Sequence, residues 1–345
     1  MENDLTREKT IAHSIAQEIL QSGIDIPPIP ANGQKIMEIV RQPIDRIDIP
    51  YFVRLLESDP SLFTKILRLA NSPFYRETEK IVSLRAAITR IGLTETVNSA
   101  CFHFFQELLP RFPDIEGLTY DAFWSRSWVC AVVNRRLGHP NLDMGVLPGD
   151  LYLTGMLHGL GKLLLAIYLP KEFSRCIHTA LKQEEPLFEI EKKVFGTTSA
   201  MVASNIMRTW ELPEHICEGV AFHQIPELAP QDSVLMAALT QFACALAELT
   251  HVGSNGEGRN LALGDTFLGQ KPTVKLADPQ IQAQLIQEAI TALKDRVDDC
   301  IDTTNQIPKP TRPASDVDMR VNKKHPDPVK PPKKSILGWI KSLFS

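Results

Sequence analysis

No apolar run in this sequence approaches the ~18 residues that a membrane-spanning helix needs. The first residues, MENDLTREKT, are polar and acidic where a secretory leader would be basic and then apolar. Neither a spanning helix nor a secretory signal is therefore expected, and the expected location is the cytoplasm. No CxxC pair occurs: Cys101, Cys130, Cys176, Cys217, Cys244 and Cys300 stand apart, most of them inside apolar runs. They read as buried thiols of a reducing compartment in preference to a zinc site. Excess positive charge is also missing. A formal net charge of −4 argues against general nucleic-acid affinity, and no nucleic-acid partner is expected. Alternating β-branched runs bounded by turns are scarce, which argues against sheet. GMLHGLGK has glycines and a lysine but neither the spacing nor the following Ser or Thr of a phosphate loop, and reads as close helix packing. No GxSxG elbow supports acyl transfer.

What is present is helical. With 345 residues, 43% hydrophobic and 23% charged, the chain can build one large domain or two medium ones. Apolar residues at helical spacing recur from residue 5 to residue 300, so the class is all-α. In ESDPSLFTKILRLANSPFY, Asp59 is a cap and Pro60 suits the first helical position. Leu62, Ile66, Leu69 and Ala70 share a face of that helix, and Asn71 with Pro73 stops it. In IVSLRAAITRIGLTETV, Ser83 caps, Leu84, Ala87, Ile88 and Ile91 form the stripe, Gly92 ends the helix and Thr94 caps the next. TWELPEHICEGVAFH starts a helix at Leu212 and Pro213 that carries Ile216, Val220 and Phe222. VLMAALTQFACALAEL is apolar nearly all round and predicts a central buried helix, and Asp278 with Pro279 opens a long amphipathic one.

ESDPSLFTKILRLANSPFY, IVSLRAAITRIGLTETV and TWELPEHICEGVAFH, together with IDIPPIPANGQKIMEIV and YLTGMLHGLGKLLL, occur in an order that resembles the bacterial HDOD domain, the HD-related output domain of signalling proteins. The resemblance implies two helical lobes, residues 24–110 and a pseudo-HD lobe at 111–302; the N-terminal helix expected within 1–23 stands before the match. It also implies a body without hydrolase activity. Catalytic HD proteins hold metal with a first His, an adjacent His-Asp pair and a later Asp, so that bound water can attack phosphate. Here the pair reads His158-Gly159, without the bridging carboxylate. Upstream, where relatives often carry a His, stands Trp124-Ser125-Arg126-Ser127, and a guanidinium does not ligate a cation. Ser199 occupies the place of another frequent His. No catalytic residue, metal ligand or cofactor is thus expected. His158, among Met156, Leu157, Leu160 and Leu163, reads first as a core histidine donating to a carbonyl. The degenerate pocket would comprise Arg126, His158, Gly159, Lys162, Ser199 and His223, and in a second reading Arg126, Lys162 and His223 bind a nucleotide phosphate there without cleaving it.

The ends differ from the body. Residues 5–20, with Leu5, Ile11, Ile15 and Ile19 on a stripe, predict an extra helix. Residues 303–334 hold seven prolines and no glycine, the composition of an extended linker. From Arg320 onward seven Lys or Arg face one acid, so a basic tail follows an acidic body. In SILGWIKSLFS (335–345), Ile336, Leu337, Trp339, Ile340, Leu343 and Phe344 fall on one helical face. At ~1.5 Å per residue that helix reaches roughly 15 Å, half the ~30 Å of hydrocarbon, so it lies on a membrane without crossing it. The neighbouring lysines add about 1 kcal/mol each against an anionic leaflet. A protein groove anchored on Trp339 is the alternative.

The function expected is a non-catalytic signalling adaptor, binding other signalling proteins and docked through its tail at the inner face of the membrane or on a partner. The alternatives are a metal-dependent nucleotide phosphohydrolase or phosphodiesterase, and a nucleotide sensor without turnover.

Overall fold

The computed structural model describes residues 27–75, 79–139, 142, 144–250, 256–258, 261–271, 276 and 278–294. The N-terminal helix expected at 5–20, the proline-rich segment and the amphipathic tail lie outside the described residues. The all-α expectation holds: among the described residues the only β feature is an isolated bridge between Ile115 and Leu118.

Among the described residues the first five α-helices are α1 (Ala31–Arg41), α2 (Ile49–Glu57), α3 (Pro60–Ala70), α4 (Leu84–Ile91) and α5 (Leu93–Leu108). Their ends follow local chemistry. The Asp59 carboxylate accepts from the Ser61 and Leu62 amides at the start of α3, and Ser83 accepts from the Ala86 amide at the start of α4. Leu62, Ile66, Leu69 and Ala70 are all buried, as the stripe required. Asn71 does more than stop α3. Its side-chain amide donates to the Leu67 and Ile81 carbonyls at 2.8 Å each, while its oxygen accepts from the Ile81 amide at 2.8 Å. Three bonds from one side chain thus latch the following loop to the helix end. Thr94 is not a cap: Gly92, at φ 94°, both ends α4 and precedes α5, which resumes at Leu93 and takes Thr94 into its first turn.

The rest of the body is built round α6 (Tyr120–Leu137), which packs against α7 (Pro148–Leu157), α13 (Val234–Glu248) and α14 (Pro279–Lys294). Between α7 and α13 run α8 (Leu160–Tyr168), α9 (Pro170–Gln183), α10 (Leu187–Phe195), α11 (Ser199–Thr209) and α12 (Glu214–Ala221), with α11 lying against α8 and α12. The α13 helix is buried over most of its surface, as its all-round apolar sequence predicts. Pro148–Tyr168 is long and apolar enough to cross a membrane by composition, yet 89% of its most apolar window is buried inside the body, where it is a core segment.

Each glycine of GMLHGLGK marks a close approach. A Cβ on Gly155 would sit 2.5 Å from the Cys130 carbonyl oxygen of α6, and one on Gly161 would sit 1.8 Å from the Ser199 carbonyl oxygen of α11. Buried polar groups tie the same helices. Asn134 Nδ2 donates to the Leu151 carbonyl at 2.8 Å and to the Thr154 and Thr240 hydroxyls at 2.7 and 3.1 Å, joining α6, α7 and α13. Arg135 reaches Asn98 Oδ1 on α5 at 3.1 Å. The apolar core is continuous across the junction at 110/111: Phe105 lies tilted against Trp210 at 5.9 Å, and Phe102 meets Trp124 edge-on at 5.5 Å. The two lobes implied by the resemblance therefore share one interior.

Candidate functional site

The α7–α8 corner sets the geometry. His158 closes α7 and Gly159 precedes α8, so the chain breaks its helix for two residues without leaving helical dihedrals. That break turns His158 into the interior, where its Nδ1 lies 2.7 Å from the Gly155 carbonyl oxygen. Nδ1 must carry the proton there, leaving the lone pair on Nε2. The carbonyl-donating histidine expected from its apolar neighbours is thus present. It also faces a cavity.

The cavity has a volume of about 570 Å³. His158 and Lys162 line it from the α7–α8 corner, His223 from the end of α12, Cys244 and Glu248 from α13, and Glu257 from the segment beyond. Of the six residues singled out in the sequence, His158, Lys162 and His223 come together on its wall. Arg126 lies just behind, buried on α6, donating to the Cys244 carbonyl at 3.1 Å and forming an ion pair with Glu248. Gly159 and Ser199 do not line it. Ser199 opens α11, where its amide and hydroxyl donate to Glu191 at 2.8 and 3.0 Å.

Burial governs the electrostatics. His223 repeats the arrangement of His158, with Nδ1 2.7 Å from the Val220 carbonyl, and the two rings meet edge to face at 5.6 Å. Desolvation, and for His158 the neighbouring His223, holds the His158 imidazole well below its usual range; burial pulls His223 down to about 4. Both are neutral at physiological pH. The cations are already matched: Lys162 Nζ lies 2.6 Å from Glu257, and Arg126 pairs with Glu248. Although burial works against it, the Lys162 charge keeps the Glu257 carboxyl below the usual range. On α10, burial raises the Glu191 carboxyl to about 7 despite its bonds from Ser199. Among the described residues, Lys162 and Arg126 thus each face a carboxylate, which offsets their charge toward an anionic ligand.

A Cβ on Gly159 would lie 2.9 Å from Cε2 of Phe123, so a side chain at this position would require the ring or the helix to shift. On the α6 side, the Arg126 guanidinium is engaged by Glu248.

One grouping escaped the linear pattern. Cys130 on α6 and Cys244 on α13, 114 residues apart, place their sulfurs 3.8 Å from each other, and a ring nitrogen of His158 lies within 4.8 Å of both. The hydrogen bond it shares with Cys244, with help from the nearby Arg126 charge, draws the Cys130 thiol down against its burial, and Cys244 is raised in turn. The faint sequence signal is a double i,i+4 spacing, Arg126 with Cys130 and Cys244 with Glu248, which stacks an ion pair one turn from a thiol pair when the two helices face each other.

The HDOD domain profile matches residues 26–226. This chain belongs to the HDOD domain family. Three solved structures share its fold. An HDOD domain protein of unknown function from Geobacter sulfurreducens is 22% identical, covers 85% of this chain and 99% of its own, and superposes with a TM-score of 0.65. A candidate signal transduction protein from Marinobacter aquaeolei VT8 is 20% identical with a TM-score of 0.66, covering 86% of this chain and 66% of its own. A candidate phosphohydrolase from Shewanella amazonensis SB2B is 21% identical with a TM-score of 0.51, covering 79% and 97%. Among curated proteins, an uncharacterised Treponema pallidum (strain Nichols) protein is 21% identical over 238 residues, 69% of this chain. The HDOD chain spans 44% of that relative's length.

Proposed function

We propose that this HDOD chain is a non-hydrolytic signalling adaptor. Its helical body engages other signalling proteins, and its tail holds it at an anionic membrane surface on the cytoplasmic side. The reading rests above all on Gly159, which stands where HD chemistry would need a carboxylate and where a Cβ would meet Phe123 Cε2 at 2.9 Å. The matched charges of Lys162 and Arg126 weigh against a sensor of free nucleotides. The Marinobacter relative's description as a candidate signal transduction protein agrees with the adaptor reading, and the Shewanella relative's with the hydrolytic alternative. The basic, amphipathic pattern of residues 320–345 supports the membrane surface.

The test has two arms on the full chain. With Mg²⁺ or Mn²⁺ and a panel of nucleotides and phosphodiesters, no turnover above buffer is expected; metal-dependent turnover lost in His158→Ala overturns the non-hydrolytic reading. Crosslinking in cells should capture signalling proteins with the native chain and fewer with Trp339→Glu. Flotation with anionic vesicles should likewise weaken in Trp339→Glu, whereas an unchanged float would move the tail to a protein groove.

A further inference from the structure

The thiol pair beside His158 has no role in the adaptor reading. We propose that Cys130, Cys244 and His158 form a binding site for one thiophilic divalent metal ion, zinc foremost, with its fourth coordination position open to the cavity.

Four observations carry this. First, the spacing fits: two sulfurs each ~2.3 Å from a tetrahedral zinc lie ~3.8 Å apart, and Cys130 and Cys244 are 3.8 Å apart before any ion enters. A ring nitrogen of His158 lies within 4.8 Å of both sulfurs. Second, His158 is in the tautomer a ligand needs. Its Nδ1 proton is committed to the Gly155 carbonyl at 2.7 Å, the outer hydrogen bond that orients metal-bound histidines and leaves Nε2 to bind. Third, the donors sit on buried, mutually packed elements. The close approach at Gly155 fixes the α7 end against the Cys130 turn of α6, and α13 packs on both helices. Fourth, there is a way in, because His158 and Cys244 line the cavity while Cys130 is fully buried behind them.

The donor set also chooses the ion. Two thiolates and an imidazole are soft and borderline ligands, suited to zinc and poor for magnesium or calcium, which take oxygen. Binding releases two protons, one from each thiol, to solvent through the cavity. The charge then balances, with two thiolates against a divalent cation and a neutral imidazole, while Arg126 and Glu248 one turn away remain paired with each other. Three protein ligands leave the fourth position to water or to a donor brought by whatever enters the cavity.

Cobalt(II) provides the decisive readout, because thiolate-to-cobalt charge transfer is seen only when sulfur binds the ion. Titrated into the reduced, metal-stripped full-length chain, Co²⁺ should saturate at about one ion per chain with near-ultraviolet charge-transfer bands and tetrahedral visible bands, both erased by Zn²⁺. Cys130→Ser and Cys244→Ser should lose the charge-transfer intensity, and His158→Ala should weaken binding by more than about tenfold. Cys217→Ser, a buried thiol whose hydrogen bond goes to the Leu212 carbonyl, should behave as wild type. Elemental analysis of the protein as purified should find zinc. If Co²⁺ gives no charge-transfer band with the wild-type chain, or if intact mass and peptide mapping of chain purified without reductant show a Cys130–Cys244 disulfide as the resident state, the proposal fails. Those two results need no variant, so a misfolded mutant does not rescue it.

Discussion

Restoring the missing carboxylate in sequence should not restore the chemistry. In Gly159→Asp the new Cβ arrives 2.9 Å from Phe123 Cε2, and two further ring atoms lie at 3.6 and 3.8 Å. Phe123 is itself buried and held by Trp124 and Phe112, so the ring has little room to retreat. Overpacking of this kind costs about 1–3 kcal/mol. A carboxylate buried beside the ring without a ready partner adds about 1–3 kcal/mol on the protein scale. Asp is the better helix cap, but relative to Gly that returns only a few tenths of a kcal/mol, about one-tenth of the loss. The expected result is a destabilisation of about 2–6 kcal/mol, read from urea unfolding of the full chain by far-ultraviolet circular dichroism, with no gain of Mn²⁺-dependent hydrolysis of a phosphodiester. Gly159→Ala isolates the steric part and should fall near the lower end. Adding Phe123→Ala should reduce the penalty of Gly159→Asp by about 1 kcal/mol or more, since the two residues contend for one volume. A Gly159→Asp protein that unfolds at the wild-type urea concentration would refute the steric argument, and one that acquires turnover would refute the non-hydrolytic reading.

Three further expectations concern packing and pH. Gly161→Ala would put a Cβ 1.8 Å from the Ser199 backbone oxygen, where no rotamer change relieves the clash; it should lower stability by about 1–3 kcal/mol or more, whereas Thr89→Ala on the exposed face of α4 should stay within about 0.5 kcal/mol in the same unfolding assay. His223, held to about 4 against an ordinary 6.5, stays neutral in the folded chain while the unfolded chain takes up the proton, so stability is lost as pH falls from about 6.5 to about 4, by roughly 3 kcal/mol. His223→Gln should remove that share, and the gap between variant and wild-type stability should shift in the variant's favour on acidification. Glu191 runs the other way: raised from 4.5 to about 7, it keeps its proton in the fold and loses it on unfolding, so its contribution falls as pH rises across that window, by roughly 3 kcal/mol. Glu191→Gln should flatten the slope between about pH 4.5 and 7, and an unchanged slope would show that its carboxyl is not buried as described.

Local chemistry in the sequence reached far into this fold. The caps at Asp59 and Ser83, the buried stripes of α3 and α4 and the all-round burial of α13 all follow from residues within a turn or two of one another, because capping and helical periodicity are short-range effects. Thr94 failed where two local signals competed, since Gly92 restarted the helix before a capping turn could form. At the site, the carbonyl bond of His158 was legible because it spans only three residues. The same locality limits what can be read. That Lys162 meets Glu257, that Phe123 occupies the space beside Gly159, and that Ser199 serves Glu191 instead of the cavity depend on how whole helices cross. Cys130 and Cys244 looked like unrelated core thiols because nothing in their separate neighbourhoods refers to the other; their 3.8 Å approach exists only once α6 and α13 face each other. The sequence by itself thus determined the helices, their ends and their apolar faces, through interactions between near neighbours. Which buried donors and charges would share a point was decided by the tertiary packing, because that depends on helix crossings set by the close-packed interior as a whole.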